Sequence, residues 1–589
     1  MARLIDTSLR LLAQEPLAGR MPPGRVLEVA EILDRAGFHA LEVTGGGVFR
    51  AAVARGVESP WERIRAYRQR VTRTPLAMAL RGNFLVGSRP VGDDLVRRFI
   101  LCAADSGIDI FRLHDPLNDA DDLQVAADAV RAAGARLYAG LVYAQAPGGD
   151  EFLVERARRL GAMGADRVML HDPAGQLDPA RAGDLVGRLG EAAGVPVGLY
   201  AQGPGGAALA EAVEAARAGA DPIATATFPV AVSAHRAPGE LLAQALAGMD
   251  LDAGVDQAVL WEAAEAVDRI LGTEGSIPPP SSHASLLGSL NRVNVSLIVG
   301  VERRLEALDA ADRLGDVLDE LHRVRAEVGS PPTASPVGTI LVRQSVEHTL
   351  SGRRWQTMGE EMRQLVLGEW GQTPGPIDAQ VAAVARALDA PEVEIPDLDD
   401  ARAEAGRLAT SEEELCLVAL FGDQVRPLLE HVRGRDRVSA AAPGAEPGEA
   451  DRIRELIALL EASEVGELTI ENGGTRITVR KQDERVPVAV PVPVAGAATA
   501  PGPAPLAPVE ERVTIDSPMV GMFFRSASPG DPPFVSEGDR VEIGQTLCLL
   551  EAMKLFNELK ADRAGVVRRI LVENGAPVEF GQPLFELEP

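Results

Sequence analysis

The chain has little of several residue types whose presence would point to a particular class of protein. Its 589 residues include only three cysteines, Cys102, Cys416 and Cys548, and 4% aromatic residues. Three widely separated cysteines argue against a disulfide framework. The sequence also lacks an apolar run of about 18 residues and an N-terminal signal-peptide pattern. We therefore expect a cytoplasmic protein with no membrane partner.

Positive charge is also scarce. Acidic residues outnumber Lys and Arg by 86 to 59, which gives a formal net charge of −27. Phosphate backbones bind basic surfaces, so we expect no nucleic-acid partner. A chain of this length exceeds what one hydrophobic core organises, and it predicts three or more domains.

The first half of the chain alternates short apolar strands with amphipathic helical stretches. Apolar runs buried on both faces and separated by helices are typical of parallel βαβ units. Eight such units predict a closed (β/α)₈ (TIM) barrel rather than an open doubly wound sheet. The predicted strands are RLIDTS (3–8), ALEV (40–43), LAMAL (76–80), IDIFRL (108–113), ARLYAGLVYA (135–144), DRVML (166–170), VPVGLY (195–200) and DPIATAT (221–227).

The rest of the chain changes character several times. Helical periodicity, a Pro/Ala-rich tether and a final run of short strands predict separate parts. The predicted parts are a barrel (1–255), a helical funnel-like extension (256–433), a linker (434–450), a helix plus hairpin (451–483), a Pro/Ala tether (484–510) and a small all-β domain (511–589).

One lysine near the C-terminus stands out from its surroundings. The tetrapeptide EAMK, Glu551, Ala552, Met553 and Lys554, lies between two predicted strands, which places Met553 and Lys554 at a hairpin tip. Taken alone, Lys554 is most simply a solvated lysine. On a hairpin at the end of a tether, however, it suits a carrier, because a tether raises the effective concentration of cargo at distant sites.

This segment resembles the biotinyl domain of biotin-dependent carboxylases. Within that group, SPMVGMFF (517–524), the thumb-like insertion SASPGDPPF (526–534) and EAMK resemble the biotin carboxyl carrier protein of bacterial acetyl-CoA carboxylase. The helix and hairpin at 451–481 also resemble the start of that carrier. The resemblance implies biotin, covalently bound to Lys554, as the cofactor. A lipoyl domain is the alternative, and the thumb argues against it.

The barrel half resembles the carboxyltransferase domain of pyruvate carboxylase and of the oxaloacetate decarboxylase α subunit. The resemblance implies a divalent metal held by an aspartate, a carbamylated lysine and two histidines. Those positions are Leu11, His171, Tyr200 and Gln202 here, and a catalytic threonine aligns with Ala234. Asp6 is retained, and Arg81 matches an arginine that binds the keto acid or biotin. The segments that carry the resemblance are DTSLRLLAQ (6–14), LEVTGG (41–46), LRGNFLVG (80–87), FRLHDPLND (111–119) and HDPAG (171–175).

Two alternatives concern what the barrel does without those ligands. His114, His171 and His235 fall near strand ends, and with Asp115 and Asp172 they could form a replacement metal site. Ordinary hydrogen-bonded histidines are the simpler interpretation. Tyr200 and Arg81 could also line a pocket for a small effector, or simply fill a core.

These patterns lead to one main functional hypothesis and one alternative. The main hypothesis is a non-catalytic biotin carboxyl carrier of acetyl-CoA carboxylase, serving fatty acid synthesis through Lys554 beside an inactive barrel. Its expected partners are a biotin carboxylase, acyl-CoA carboxyltransferase subunits, a biotin protein ligase and further copies of the chain. The alternative is a carboxyltransferase subunit of pyruvate carboxylase or oxaloacetate decarboxylase with an atypical site. Arg81 and His171 are its candidate catalytic residues.

Overall fold

The structure is a computed structural model, and it divides into two units, Met1–Lys481 and Gln482–Pro589. No single helix in the described part of the chain is long and apolar enough to cross a membrane. The residues that the structure describes are 2–15, 17–87, 89–145, 149–274, 281–388, 398–405, 408–441, 467–472, 475–480, 513–516, 521–526, 533–542, 545–552, 555–561, 563–572, 574, 576–578 and 582–588.

The eight predicted strands form a closed parallel barrel in chain order, which confirms the predicted fold. β1 closes the barrel by pairing with β8, with Ile5 opposite Ala224. The strands are β1 Leu4–Asp6, β2 Ala40–Gly45, β3 Leu76–Leu80, β4 Ile110–His114, β5 Arg136–Val142, β6 Arg167–Asp172, β7 Val197–Ala201 and β8 Ile223–Thr225.

Helices surround the barrel because their apolar faces cover the outer faces of the strands in one large core. The barrel helices are α1 Ser8–Leu12, α2 Pro23–Arg35, α3 Gly46–Arg55, α4 Pro60–Arg70, α5 Asp93–Asp105, α6 Gln124–Ala132, α7 Glu151–Ala162, α8 Pro179–Ala193, α9 Ala207–Arg217, α10 Phe228–Ala234 and α11 Gly239–Ala247.

The helical extension divides between two cores. Helices α13 to α18 surround a core of their own, to which Phe84 and Leu117 from the barrel loops also belong. Residues of α12 and of α19 to α21 join the barrel core instead. The extension helices are α12 Gln257–Glu274, α13 Ser282–Asn291, α14 Val295–Glu306, α15 Leu314–Glu327, α16 Val337–Ser351, α17 Glu360–Leu367, α18 Ala379–Ala387, α19 Leu398–Ala405, α20 Glu412–Phe421 and α21 Arg426–Ala441.

The linker predicted from residue 434 begins too early, because α21 continues to Ala441. The first proline that would stop this helix is Pro443, and the residues before it tolerate helix. The predicted hairpin is present as β9 Glu467–Asn472 and β10 Thr475–Arg480, paired antiparallel with Ile470 opposite Ile477. The helix predicted at 451–463 and the tether at 484–510 lie outside the described residues.

The second unit is the predicted small all-β domain. It has two four-stranded antiparallel sheets, in the orders β11-β18-β16-β13 and β15-β14-β12-β17, around an apolar core that includes Phe523 and Phe585. Its strands are β11 Val513–Asp516, β12 Gly521–Phe524, β13 Arg540–Val541, β14 Thr546–Ala552, β15 Leu555–Lys560, β16 Gly565–Ile570, β17 Pro577–Val578 and β18 Pro583–Glu588.

Candidate functional site

The barrel interior changes from apolar to charged toward the C-terminal ends of the strands. A lower layer is apolar, and side chains two residues further along a strand point to the same side. Glu42 therefore stands above Ala40, Arg112 above Ile110 and His171 above Met169. The lower layer consists of Ile5, Ala40, Ala77, Ile110, Tyr138 and Met169.

Glu42 lies between two arginines in this upper layer. Arg112 Nε donates to Glu42 Oε2 at 2.9 Å, and Arg10 Nε lies 2.7 Å from Glu42 Oε1. Burial alone would raise the pKa of Glu42, but Arg112 and Arg10 outweigh that effect and lower it. Glu42 is therefore a carboxylate, and it holds both guanidinium groups in place.

Tyr200 on β7 joins the remaining members of the group. Its hydroxyl donates to Glu42 Oε1 at 3.3 Å and accepts from Arg10 Nη2. The Cζ atoms of Arg236 and Arg112 lie 4.2 and 4.3 Å from the Tyr200 ring centroid, within the range of cation–π attraction. We call these five residues, Arg10, Glu42, Arg112, Tyr200 and Arg236, the arginine cluster.

The arginine cluster carries more positive than negative charge. Three guanidinium groups face one carboxylate, and burial lowers the pKa of Arg236 only to about 10, so it stays charged at neutral pH. Arg112 is 5% exposed and Arg236 is 8% exposed. Arg112 Nη1 and Arg236 Nε find no hydrogen-bond partner among the described residues. Unpaired buried donors of this kind are costly unless a ligand or water meets them.

The structure brings two of the three candidate histidines together. The rings of His114 and His171 are 6.2 Å apart, and His171 also stacks edge-on against Tyr200 at 5.0 Å. Burial and then Arg112 lower the pKa of both histidines well below the ordinary value, so both are neutral. Neither nitrogen of His171 has a hydrogen-bond partner among the described residues. His235, in the left-handed position that ends α10, makes no described ring contact with them.

Each candidate aspartate accepts hydrogen bonds from backbone amides of the loop that follows it. Asp115 Oδ1 accepts from the amides of Leu117 and Asp119 at 2.7 and 2.8 Å. Asp172 accepts from Ala174 and Leu177 at 2.9 and 2.6 Å. In the described part of the chain, no three His, Cys, Asp or Glu side chains are grouped to hold a metal. The hypothesis of a replacement metal site therefore gains no support from this geometry.

Arg81, the other candidate catalytic residue, follows β3 and is bound by its own loop. Its Nη2 donates to Val86 O at 2.9 Å and to Gly87 O. A Cβ at Gly46 would lie 2.8 Å from that nitrogen, and one at Gly45 would lie 3.5 Å from Arg10 Cδ. The glycines of LEVTGG therefore let Arg10 and Arg81 lie against the same stretch of backbone. The role of Arg81 in binding a keto acid or biotin, which the resemblance implies, stays a prediction.

The positions that hold a metal in the resembling family do not fit one here. Leu11 is buried in the barrel core and offers no ligand. No lysine precedes Lys481, so no carbamylated lysine can form in the barrel. The Gln202 Oε1 atom makes a weak contact with Nδ2 of Asn294, the N-cap of α14, at 3.4 Å. A divalent cation beside three guanidinium groups would also be strongly repelled.

The second unit presents the predicted biotin hairpin. β14 and β15 pair antiparallel, with Glu551 opposite Phe556 and Ala552 opposite Leu555. Met553 and Lys554 follow that last pair in the chain and lie outside the described residues. The Phe534 amide donates to Arg525 O at 2.8 Å, which brackets the thumb-like insertion, most of which is also outside them. The chain has three lysines, 481, 554 and 560, and only Lys554 lies between these two strands.

Sequence reasoning missed most of the arginine cluster. Arg112 and Glu42 lie inside apolar strand runs, 70 residues apart in the chain. Arg10 precedes Leu11 in the chain, and Arg236 follows His235. The available signal was charge at inward-facing strand positions together with the absence of lysine from the first 480 residues.

Two family matches and several relatives agree with this architecture. The family described as "Biotin-requiring enzyme" matches residues 513–587, and "Conserved carboxylase domain" matches 300–479.

A pyruvate carboxylase subunit of Methanocaldococcus jannaschii is 30% identical over 571 residues, 94% of each chain. The 2-oxoglutarate carboxylase large subunit of Hydrogenobacter thermophilus is 28% identical, covering 95% of this chain and 90% of that one. The carboxyl transferase domain of Rhizobium etli pyruvate carboxylase superposes with a TM-score of 0.66 at 22% identity, over 74% of this chain and 77% of that one, which shows the shared fold.

The fold and these matches define a biotin-dependent carboxylase subunit with a carboxyltransferase-type barrel. Its cofactor is covalently attached biotin. The chain belongs to the same family as the pyruvate carboxylase subunit of Methanocaldococcus jannaschii.

This membership corrects the main functional hypothesis. The biotin carboxyl carrier protein of acetyl-CoA carboxylase from Nostoc is 55% identical over only 75 residues, 13% of this chain and 41% of that one. The helix and hairpin at 451–481 fall largely within the conserved carboxylase match instead. The prediction of a non-catalytic carrier of acetyl-CoA carboxylase, with a role in fatty acid synthesis, is therefore wrong. The resemblance to the carrier was misleading because it reflects only the biotinyl segment, which is 55% identical to the Nostoc carrier, whereas 571 residues are 30% identical to the pyruvate carboxylase subunit.

Proposed function

We propose that the chain is the biotin-carrying carboxyltransferase subunit of a 2-oxo acid carboxylase, with pyruvate or 2-oxoglutarate as the acceptor. The observation that carries the proposal is similarity over 94% of both chains to a pyruvate carboxylase subunit. The barrel, the helical extension and the biotinyl domain occur together in one chain, as a transfer subunit requires.

The arginine cluster lies at the C-terminal ends of the barrel strands, which we call the barrel mouth. Its charge suits an anionic acceptor. The arginine cluster offers guanidinium groups with unpaired N–H donors in a protein whose overall charge is −27. A local positive field inside an acidic surface attracts a small anion to one place. The neutral His171 ring beside Tyr200 adds a group that can donate or accept a proton.

The helical extension contacts loops that follow two of the barrel strands. Phe84, in the loop after β3, packs edge-on against Trp370 with ring centroids 5.0 Å apart. Gln176, after β6, donates to Arg292 O at 2.7 Å. The extension is thereby in contact with the loops after β3 and β6.

Lys554 is the residue that would hold biotin, through an amide to its side-chain nitrogen. When bound, biotin supplies the carboxyl group, which passes to a carbon of the acceptor while a proton from that carbon replaces it. The barrel residues bind and orient the acceptor during this exchange.

The test is transfer of labelled carboxyl groups. The biotinylated chain is loaded by a separate biotin carboxylase with ATP and labelled bicarbonate, and then mixed with pyruvate, 2-oxoglutarate or acetyl-CoA. We expect label in a carboxylated 2-oxo acid and none in a CoA product. Label that stays on the protein with both 2-oxo acids would contradict the proposal.

A biotin carboxylase is the partner expected of a biotin-dependent carboxylase subunit. A biotin protein ligase, assembly with further copies of the chain and a cytoplasmic location stay predictions. The acyl-CoA carboxyltransferase partner belonged to the carrier hypothesis and is not part of this proposal.

A further inference from the structure

The arginine cluster is built for a ligand that the protein itself does not supply. Glu42 is shared between Arg10 and Arg112, while Arg236 Nη1 makes one weak contact with Ala201 O at 3.4 Å. Arg112 Nη1 and Arg236 Nε remain without partners among the described residues although both side chains are at least nine-tenths buried. Structural arginines at this depth are normally fully paired.

The missing partner is most simply a carboxylate. The cluster has two positive charges in excess, which an anion would reduce. A guanidinium group is planar and presents parallel N–H donors that match the two oxygens of a carboxylate. The Cζ atoms of Arg112 and Arg236 both lie within 4.3 Å of the Tyr200 ring centroid, and burial and also the charge of Arg112 lower the pKa of Arg236, so the two guanidinium groups lie near each other.

We propose that Arg112 and Arg236, supported by Arg10, Glu42 and Tyr200, form a metal-independent site for the carboxylate of the 2-oxo acid. This proposal rests on the proposed function for the identity of the acid, but its geometry is independent of transfer. In this site, guanidinium groups would stabilise the negative charge of the acid, as a divalent metal does in the carboxyltransferase family that the barrel resembles.

The first experiment measures binding without turnover. The full chain is treated with a chelator, and oxamate, a non-reacting isostere of pyruvate, is titrated by calorimetry. Pyruvamide, which has an amide in place of the carboxylate, and bicarbonate are titrated in parallel. We expect oxamate to bind and pyruvamide to bind at least about tenfold more weakly, because a charge-assisted pair is lost. Adding Mg²⁺, Mn²⁺ or Zn²⁺ should change the oxamate Kd by less than about twofold.

The second experiment changes the cluster. We expect Arg236→Met to weaken oxamate binding at least about tenfold, and Arg236→Lys to recover part of the loss. Arg156→Met is the matched control: Arg156 is also 8% exposed, but it lies on α7 against Asp119. It should leave the oxamate Kd unchanged. If Arg236→Met does not fold, Tyr200→Phe, which removes one hydroxyl, should still weaken binding several-fold.

The outcomes separate this inference from the proposed function. Oxamate binding that requires added metal, that is equal for pyruvamide, or that is unchanged in the Arg236 variants would overturn the inference. Bicarbonate binding in place of oxamate would overturn the assignment to the 2-oxo acid. If oxamate binds as expected but labelled carboxyl groups never reach a 2-oxo acid, the proposed function fails while the carboxylate site stands. Transfer that proceeds unchanged in Arg236→Met would preserve the function and reject the site.

Discussion

At the scale of single residues, the barrel mouth shows how one site can exchange its chemistry while the fold persists. The resemblance implies a histidine ligand at the position of Tyr200, whose ring and hydroxyl here contact three arginines. Leu11 has joined the hydrophobic core. Fold and chemistry separate readily because the strands define the positions and the side chains define the reaction.

Restoring the aspartate at position 11 should not restore a metal site. Leu11→Asp would place a carboxylate in an apolar core, and we expect the free energy of unfolding to fall by roughly 3 kcal/mol or more. Chemical denaturation measures this. Leu101→Asp, at a leucine that is 37% exposed on α5, is the control and should cost much less. Tight binding of a divalent metal by Leu11→Asp would contradict this account.

Asp115 should make stability depend on pH. Burial raises its pKa from 3.8 to about 8, so the folded protein holds this proton more tightly than the unfolded chain does. The stabilising contribution of Asp115 to the free energy of unfolding is fully present below pH 3.8. This contribution is lost as the pH rises through about 8. Asp115→Asn keeps an oxygen to accept from Leu117 and Asp119, and we expect it to flatten the decline in unfolding free energy over this range. The same change at the exposed Asp128 should leave the decline as steep as in the unaltered chain.

At the scale of elements, the helical extension is tied to the barrel loops by its own N-caps. The Asn294 Oδ1 atom accepts from the Ser296 amide at 2.8 Å to cap α14. Its Nδ2 donates to Pro173 O and to Gln202 Oε1, in the loops after β6 and β7. One side chain therefore starts a helix and holds two edges of the mouth.

Removing this side chain should loosen the barrel loops as well as the helix. We expect Asn294→Ala to lower the free energy of unfolding by about 1 kcal/mol and to speed amide exchange at 173–177 and 202–206. Asp378→Ala removes a comparable cap from α18, where the carboxylate accepts from Gln380 and Val381. Hydrogen-exchange mass spectrometry should show no effect of that control on the two loops. Equal protection of the loops in both variants would mean that Asn294 is only a cap.

The elements themselves were largely predictable, because apolar strand runs and helical periodicity reflect local physics. All eight barrel strands and the 467–481 hairpin occur where the patterns predict them. The cluster was not predictable in the same way, since the pairing of Arg112 on β4 with Glu42 on β2 depends on two strands that β3 separates in the closed barrel. The absence of a metal ligand at Leu11 could be read from the sequence. The arginine cluster could be found only from contacts in the structure.

At the scale of the whole molecule, the arginine cluster and the biotin hairpin lie in different structural units. The arginine cluster belongs to the unit Met1–Lys481, and the biotin hairpin belongs to Gln482–Pro589. Each unit has its own apolar core. The two activities, acid binding and cofactor attachment, should therefore be separable by single substitutions.

Lys554→Arg should remove one activity and leave the other. We expect loss of biotin, seen as loss of avidin binding, and loss of carboxyl transfer. The oxamate Kd should stay within about twofold, because no lysine takes part in the arginine cluster. Lys560→Arg, on β15 of the same domain, is the control and should retain both biotin and transfer. Biotin that persists in Lys554→Arg would place the attachment elsewhere.

The most direct test of the central claim is a crystal structure of the full chain grown with oxamate in the presence of a chelator. We predict that the carboxylate lies in the barrel mouth within hydrogen-bond distance of Arg112 and Arg236, with no metal peak beside Tyr200. Oxamate bound elsewhere, or held by a metal ion in the mouth despite the chelator, would contradict it.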